Sequence, residues 1–188
     1  MENKRGITKV SDLDKAEKYY RIGRGPIDTA IENELTNSKL IVHGGRAINA
    51  QLPDWLDKAT EDWDLFSTAP RETAEKLEKL LDEHYGGDFF GVIPAKHEGT
   101  FRIMNNITLK GVADITIPEK KIDYITEDGV NYATLEHHVE RIKKTLADPT
   151  KKFRWKKDKE TLQRIRVFKR LKKKAAAPTV GEFKAIRD

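Results

Sequence analysis

The stretch IVHGGRAINAQLPDWLDKATEDWDLFS, residues 41–67, places the glycine pair Gly44-Gly45 after one apolar run and sets Asp62 and Asp64 inside another. A short apolar run ending in glycines reads as a buried strand feeding a tight turn, and RAINAQL then supports about two helical turns before Pro53. In an extended strand alternate side chains share a face, so Asp62 and Asp64 project together while Trp63 and Leu65 turn toward the core. Two like charges side by side on an otherwise buried element are costly unless a cation or hydrogen bonds compensate them. A divalent cation is the simplest compensation. The plain alternative is a loop entering a strand, where D-x-D strings are common.

A third acid of the same kind stands in GVADITIP, residues 111–118, where alternation puts Asp114 and Thr116 on one face and Ala113, Ile115 and Ile117 on the other. The chain has no cysteine, so any metal is held by oxygen or imidazole. An all-oxygen set points to Mg²⁺ or Mn²⁺, and three carboxylates to a site for two ions. At Gly44-Gly45 the missing Cβ atoms let backbone N–H groups approach a phosphate, and Arg46 in the first helical turn adds a charged donor. A lone glycine pair more often marks an ordinary turn. It fits neither the P-loop nor the dinucleotide glycine pattern.

Around this stretch the 188 residues suit one domain with an appendage, and 37% hydrophobic against 36% charged residues is the composition of a soluble protein. No apolar run approaches the roughly 20 residues that cross a bilayer, and MENKRGITKVSDLDKAEKYY lacks a signal-peptide core, which places the protein inside the cell, in the cytoplasm, with no membrane partner. The charge is segregated. Residues 143–174 carry fifteen Lys or Arg against three acids, a net +12 that leaves −7 for the rest of a chain whose total is +5. Such a face suits a polyanion, although a solvated lysine-rich helix that keeps the protein soluble has the same composition.

Helical periodicity marks residues 26–35, with Ile27, Ala30, Ile31 and Leu35 on one face, and residues 70–85, with Ala74, Leu77, Leu80 and Leu81 as the stripe and Gly86-Gly87 as the stop. DFFGVI, FRIM and ITLKGVADITIP read as strands around a turn at Asn105-Asn106. TLEHHVERIKKTLADP is a helix capped by Thr134, with Leu135, Val139, Ile142 and Leu146 on one face, and a basic helix follows from about Asp158 to Lys174. Trp63 reads as core, and His43 as a histidine satisfied by the backbone or a nucleotide contact. His137 and His138 sit about 100° apart on their helix and do not form a metal pair. The expected class is α+β, a mixed, mostly antiparallel sheet flanked by helices. Its organisation is an N-terminal basic or helical extension over 1–25, a catalytic core over 26–130 and a basic helical segment over 131–188.

HGGRAIN, TEDWDLF and GVADITIP together resemble the nucleotidyltransferase superfamily typified by DNA polymerase beta, whose signature is a hydrophobic-Gly-Gly/Ser turn, a D-x-D or D-x-E strand and a third carboxylate on a later strand. The resemblance covers about residues 39–118. FRIMNNITLKGVADITIP, followed by a helix and then FRWKKDKETLQRIRVFKRL, is similar within that superfamily to the poly(A) polymerase-like nucleotidyltransferases of poxviruses and other large DNA viruses. The spacer of sixteen residues between Gly45 and Asp62 exceeds the usual gap of the superfamily, which implies an inserted loop, LPDWLDKATE.

Residue by residue, the resemblance implies Asp62 and Asp64 as ligands of both metals, Asp114 as the third ligand, and Gly44 and Gly45 on the triphosphate of the incoming nucleotide. Arg46 and Lys157 join the nucleotide-binding set. Arg154, Trp155, Lys156, Arg164, Lys169 and Arg170 form the nucleic-acid-binding set, in which Trp155 either stacks a base or packs its helix on the body. Arg21 and Arg24 would extend the same surface. The expected activity is transfer of NMP from an NTP, ATP favoured, to a hydroxyl acceptor, foremost an RNA 3′ end, with release of pyrophosphate. A toxin-like transferase acting on tRNA or protein, and a non-catalytic nucleic-acid-binding module, are the two alternatives. The sequence leaves the oligomeric state open.

Overall fold

In a computed structural model of the chain, residues 25–176 are described; the expectations for the N-terminal extension, for Arg21 and Arg24, and for the tail beyond Ala176 lie outside them. Two compact units divide the chain between His138 and Val139.

In the first unit, helix α1 (Gly25–Leu35) is followed by strand β1 (Ile41–His43), helix α2 (Gly44–Ala50), strand β2 (Trp63–Phe66) and helix α3 (Pro70–Tyr85). Strands β3 (Phe90–Pro94), β4 (Thr100–Asn105), β5 (Gly111–Thr116), β6 (Tyr124–Glu127) and β7 (Val130–Ala133) complete a seven-stranded sheet of order β3-β4-β5-β2-β1-β7-β6. Four pairings are antiparallel and two, β1 with β7 and β2 with β5, are parallel. The α+β class with a mixed, mostly antiparallel sheet is therefore the observed one.

The core lies on one face of this sheet, where Val42, Trp63, Leu65, Ile103, Ala113 and Ile115 meet the apolar stripes of α1 and α3. Ile27, Ala30, Ile31 and Leu35 are all buried, as are Ala74, Leu77 and Leu81, so both helices turn inward the faces that their periodicity marks. Pro70 opens α3, and Gly86 closes it in the left-handed region at φ 68°. The β6–β7 hairpin stands outside the sequence-based expectations, although its turn has a strong signal. Asp128 and Gly129 take φ 48° and 79°, the primed geometry that an Asp-Gly pair favours because it matches the twist of the flanking strands.

One polar contact ties α1 to the sheet. Asp28 Oδ1 accepts both the indole N–H of Trp63, at 2.9 Å, and the Arg46 guanidinium, at 2.8 Å, and Arg46 lies 4.0 Å over the Trp63 ring. A single carboxylate thus satisfies a buried indole and a half-buried cation, each of which is costly to leave unpaired.

Helix α4 (Leu135–Ala147) runs across the boundary between the units; Thr134 Oγ1 accepts the His137 N–H at 3.2 Å, the capping role expected of it. The second unit adds a 3₁₀ segment (Pro149–Arg154) and helix α5 (Trp155–Ala176), which begins three residues before the expected start at Asp158. Ile142, Leu162 and Ile165 are buried in it. Among the described residues no helix is long and apolar enough to cross a membrane.

Asp28→Ala is expected to lower stability by about 1–3 kcal/mol, because it strands the indole N–H and the guanidinium together. Asp28→Asn, which keeps an oxygen for the indole, loses less. Chemical denaturation of the two variants checks the order.

Candidate active site

The parallel pairing of β2 with β5 sets Trp63 opposite Ala113, Asp64 opposite Asp114, Leu65 opposite Ile115 and Phe66 opposite Thr116. Side chains alternate identically on the two strands, so Trp63, Leu65, Ala113 and Ile115 enter the core while Asp64 and Asp114 stand side by side on the other face. Residues fifty positions apart in sequence become nearest neighbours on strands about 4.8 Å apart. Asp62, expected to share a strand face with Asp64, instead occupies the exposed bend just before β2, because the strand begins only at Trp63.

Gly44 is fitted to this pair. It sits at φ 69°, and a Cβ built on it would lie 1.9 Å from Asp64 Oδ2. Only a residue without a side chain lets the start of α2 approach the carboxylate this closely. Gly45 is less constrained, a Cβ there meeting Thr60 Oγ1 at 3.0 Å. Helix α2 begins at Gly44 itself, so both glycines belong to its first turn.

The cation facing the acids is Arg102, a residue on which the sequence alone places no emphasis. It pairs with Asp114 across β4 and β5, and its Nε and Nη2 each reach one Asp114 oxygen at 2.6 Å. This is a two-pronged charge-assisted contact, the strong kind. The bond to Asp114 raises the Arg102 pKa above its ordinary value, and the charges of Asp114, Asp62 and Asp64 act in the same direction. One guanidinium therefore feels all three acids. An isolated cation within FRIM was the available signal, but the partner lies twelve residues away and depends on strand register.

Arg46 is engaged with Asp28 and Trp63, and its Nε donates to the Asp62 backbone carbonyl at 3.3 Å, so it braces the chain entering β2. Trp63 is core, as its strand alternation requires. His43, paired with Asp64 across β1 and β2, stacks on Phe66 with ring centroids 3.9 Å apart.

In the second unit Lys156, Lys157, Lys169 and Arg170 are exposed, and Arg154 and Arg164 are half-buried. Trp155 donates its indole N–H to the Thr145 carbonyl at 3.1 Å, an anchorage that suits packing, one of the two roles open to it. Arg154 Nε lies 3.8 Å from Asp158, which is buried.

Among the described residues, one group of three acids brings ligand atoms within 4.8 Å of one another: Glu78, Asp82 and Asp88. Asp82 Oδ1 there accepts the N–H groups of Phe89 and Phe90 at 2.7 and 3.0 Å, which fixes the chain between α3 and β3. That role is structural, and neither Asp64 nor Asp114 belongs to the group.

Asp62, Asp64 and Asp114 are not among the acids whose ligand atoms converge within 4.8 Å; the all-oxygen chemistry of the Asp64–Asp114 pair on adjacent strands is nonetheless the kind that suits a hard divalent cation. Both Asp114 oxygens bond Arg102, so a metal ion on Asp114 competes with that guanidinium. Arg102→Met is expected to lower the melting temperature without divalent ions by about 2–4 °C, roughly 1 kcal/mol for a half-exposed ion pair. Mg²⁺ is expected to raise the melting temperature more in the variant than in the parent chain. Equal Mg²⁺ responses would show that Arg102 and the cation do not share Asp114.

No curated protein sequence matches this one. Among solved structures, the crystal structure of the Megavirus polyadenylate synthase is similar at a TM-score of 0.65 and 19% identity, over 90% of this chain. The match takes in 39% of that protein's own chain, so the sequence spans well under half of its structural relative. At this identity the likeness is one of fold, and it agrees with the resemblance to the enzymes of large DNA viruses carried by FRIMNNITLKGVADITIP and FRWKKDKETLQRIRVFKRL. The poly(A) polymerase catalytic subunit family matches residues 29–152, most of the described chain and all of the sheet. The chain thus belongs to the poly(A) polymerase catalytic subunit family of nucleotidyltransferases.

Proposed function

We propose that the chain transfers a nucleoside monophosphate from an NTP, ATP foremost, to the 3′ hydroxyl of an RNA strand. The observation that carries this reading is the register of β2 and β5, which sets Asp64 and Asp114 side by side with Gly44 closed against Asp64. Family membership supports it, and so does the oxygen-only donor set.

Asp62, Asp64 and Asp114 would hold the divalent cations, Mg²⁺ or Mn²⁺. Two such ions in this class of site stabilise the attacking and leaving oxygens of an in-line displacement. The chain's own residues do the positioning. Gly44 and Gly45, which carry no side chains of their own, would bring their backbone N–H groups to the triphosphate. Asp114, fixed on the neighbouring strand, would hold the cation that lowers the cost of deprotonating the acceptor hydroxyl. Arg102 neutralises Asp114 until a cation takes its place, which relieves the like-charge repulsion of two adjacent carboxylates.

Arg46 holds the entry to β2 in place through Asp28 and the Asp62 carbonyl, so it supports nucleotide binding from behind the site. Lys156, Lys157, Lys169 and Arg170, with Arg154 and Arg164, would contact the phosphates of the acceptor strand. Contacts of this kind add affinity without reading sequence and weaken with salt.

Incubation with Mg²⁺, each α-labelled NTP in turn and an RNA oligonucleotide tests the reading. Label is expected on the RNA 3′ end, most from ATP, and Asp62→Asn, Asp64→Asn and Asp114→Asn are each expected to reduce it at least about a hundredfold. Label on protein or inside tRNA would favour the toxin-like alternative. Salt-sensitive RNA binding without transfer, unchanged in the three variants, would favour a non-catalytic module.

A further inference from the structure

The segment DPTKKFRW, residues 148–155, links α4 to α5. Asp148 anchors its start, accepting the Thr150 N–H at 3.0 Å and the Thr150 hydroxyl at 2.6 Å, and Lys151 then leaves helical geometry at φ −98°, ψ 18°. Phe153 follows at 83% exposure, the highest among the large apolar side chains of the described residues. Trp155, two positions on, is half-buried with its indole N–H bonded to Thr145. The sequence offers two aromatics within a basic stretch, and the fold anchors one while it presents the other.

The surroundings select a partner. Lys151, Lys152, Arg154, Lys156 and Lys157 all lie within four positions of Phe153. Of these, Lys151 lies 3.5 Å from Asp148 and Arg154 lies 3.8 Å from Asp158, while Lys152, Lys156 and Lys157 are exposed. An aromatic ring alone would suit an apolar protein surface, but an exposed ring set among cations matches a base flanked by phosphates. Every base has a π-face, so stacking accepts any sequence, and only an unpaired strand can present that face.

We propose that Phe153 is a stacking platform for one base of single-stranded nucleic acid, with Lys152, Lys156 and Lys157 holding the adjacent phosphates. This rests on the reading of an RNA acceptor and names a residue that grips it.

Fluorescence anisotropy of the full chain with a labelled single-stranded oligoadenylate tests the platform. Phe153→Ala is expected to weaken binding about five- to a hundredfold with the salt dependence unchanged, because the ring carries no charge. Phe153→Trp is expected to restore affinity and Phe153→Leu to leave it weak. Lys152→Ala and Lys156→Ala are expected to flatten the salt slope instead, by about 0.7 for each phosphate of the single strand that the removed lysine neutralises. Duplex RNA of the same composition is expected to bind equally to the parent and to Phe153→Ala.

Unchanged affinity in Phe153→Ala would overturn the proposal. Full affinity in Phe153→Leu would also overturn it, since it would point to apolar docking of a protein surface. A fall in melting temperature in Phe153→Ala would overturn it as well, by assigning the ring to the fold. A chain that binds RNA through Phe153 yet transfers no nucleotide would refute the enzymatic reading and leave the platform standing.

Discussion

The parallel pairing of β2 with β5 is the constraint on which the rest depends. Parallel strands in register carry side chains in the same alternation, so the pairing that buries Trp63 and Leu65 against Ala113 and Ile115 also forces Asp64 and Asp114 together. The core therefore fixes the acids. Moving either strand by one residue would bury its carboxylate and expose its apolar set, a change that the core strongly opposes. The acids gain their accuracy of placement from hydrophobic burial on the opposite face, which needs no interaction between the acids themselves.

Two neighbours manage the charge that this arrangement concentrates. Arg102, arriving on the antiparallel strand β4, grips Asp114 with two nitrogens, and Gly44 lets the start of α2 close against Asp64. On the proposed reading these contacts prepare a cation site: the guanidinium holds Asp114 as a ligand would be held, and the glycine keeps a side chain out of the phosphate path. Asp28 acts one layer behind, joining α1 to the Trp63 indole and to Arg46 so that the strand carrying Asp64 enters the sheet at a fixed angle.

What the sequence made legible follows from short-range physics. The periodic stripes of α1 and α3, the Gly86 stop, the Thr134 cap and the alternation in DWDLF and GVADIT each depend on neighbours within a few residues. Asp64 and Asp114 stood out because isolated acids in apolar runs break a local pattern. Arg102 stayed hidden because its significance lies in a pairing across strands, and Asp28 because it looks like any acid in a helix's first turn. The β6–β7 hairpin could have been read from Asp128-Gly129, but the strands beside that turn are short, and β6 is exposed along its length, so no apolar alternation reinforced it. The sequence drew attention to Trp155 and not to Phe153, two positions away in the same basic stretch; only burial shows that Phe153 is the exposed ring.

The most direct measurement is crystallography of the chain grown with Mn²⁺ and a non-hydrolysable ATP analogue, with diffraction recorded at the manganese absorption edge. Anomalous density among Asp62, Asp64 and Asp114, with the Arg102 guanidinium turned away from Asp114, is the expected result. Manganese at Glu78, Asp82 and Asp88 alone, or an Arg102–Asp114 pair still closed beside bound nucleotide, would contradict the assignment of the strand carboxylates as the metal-holding acids.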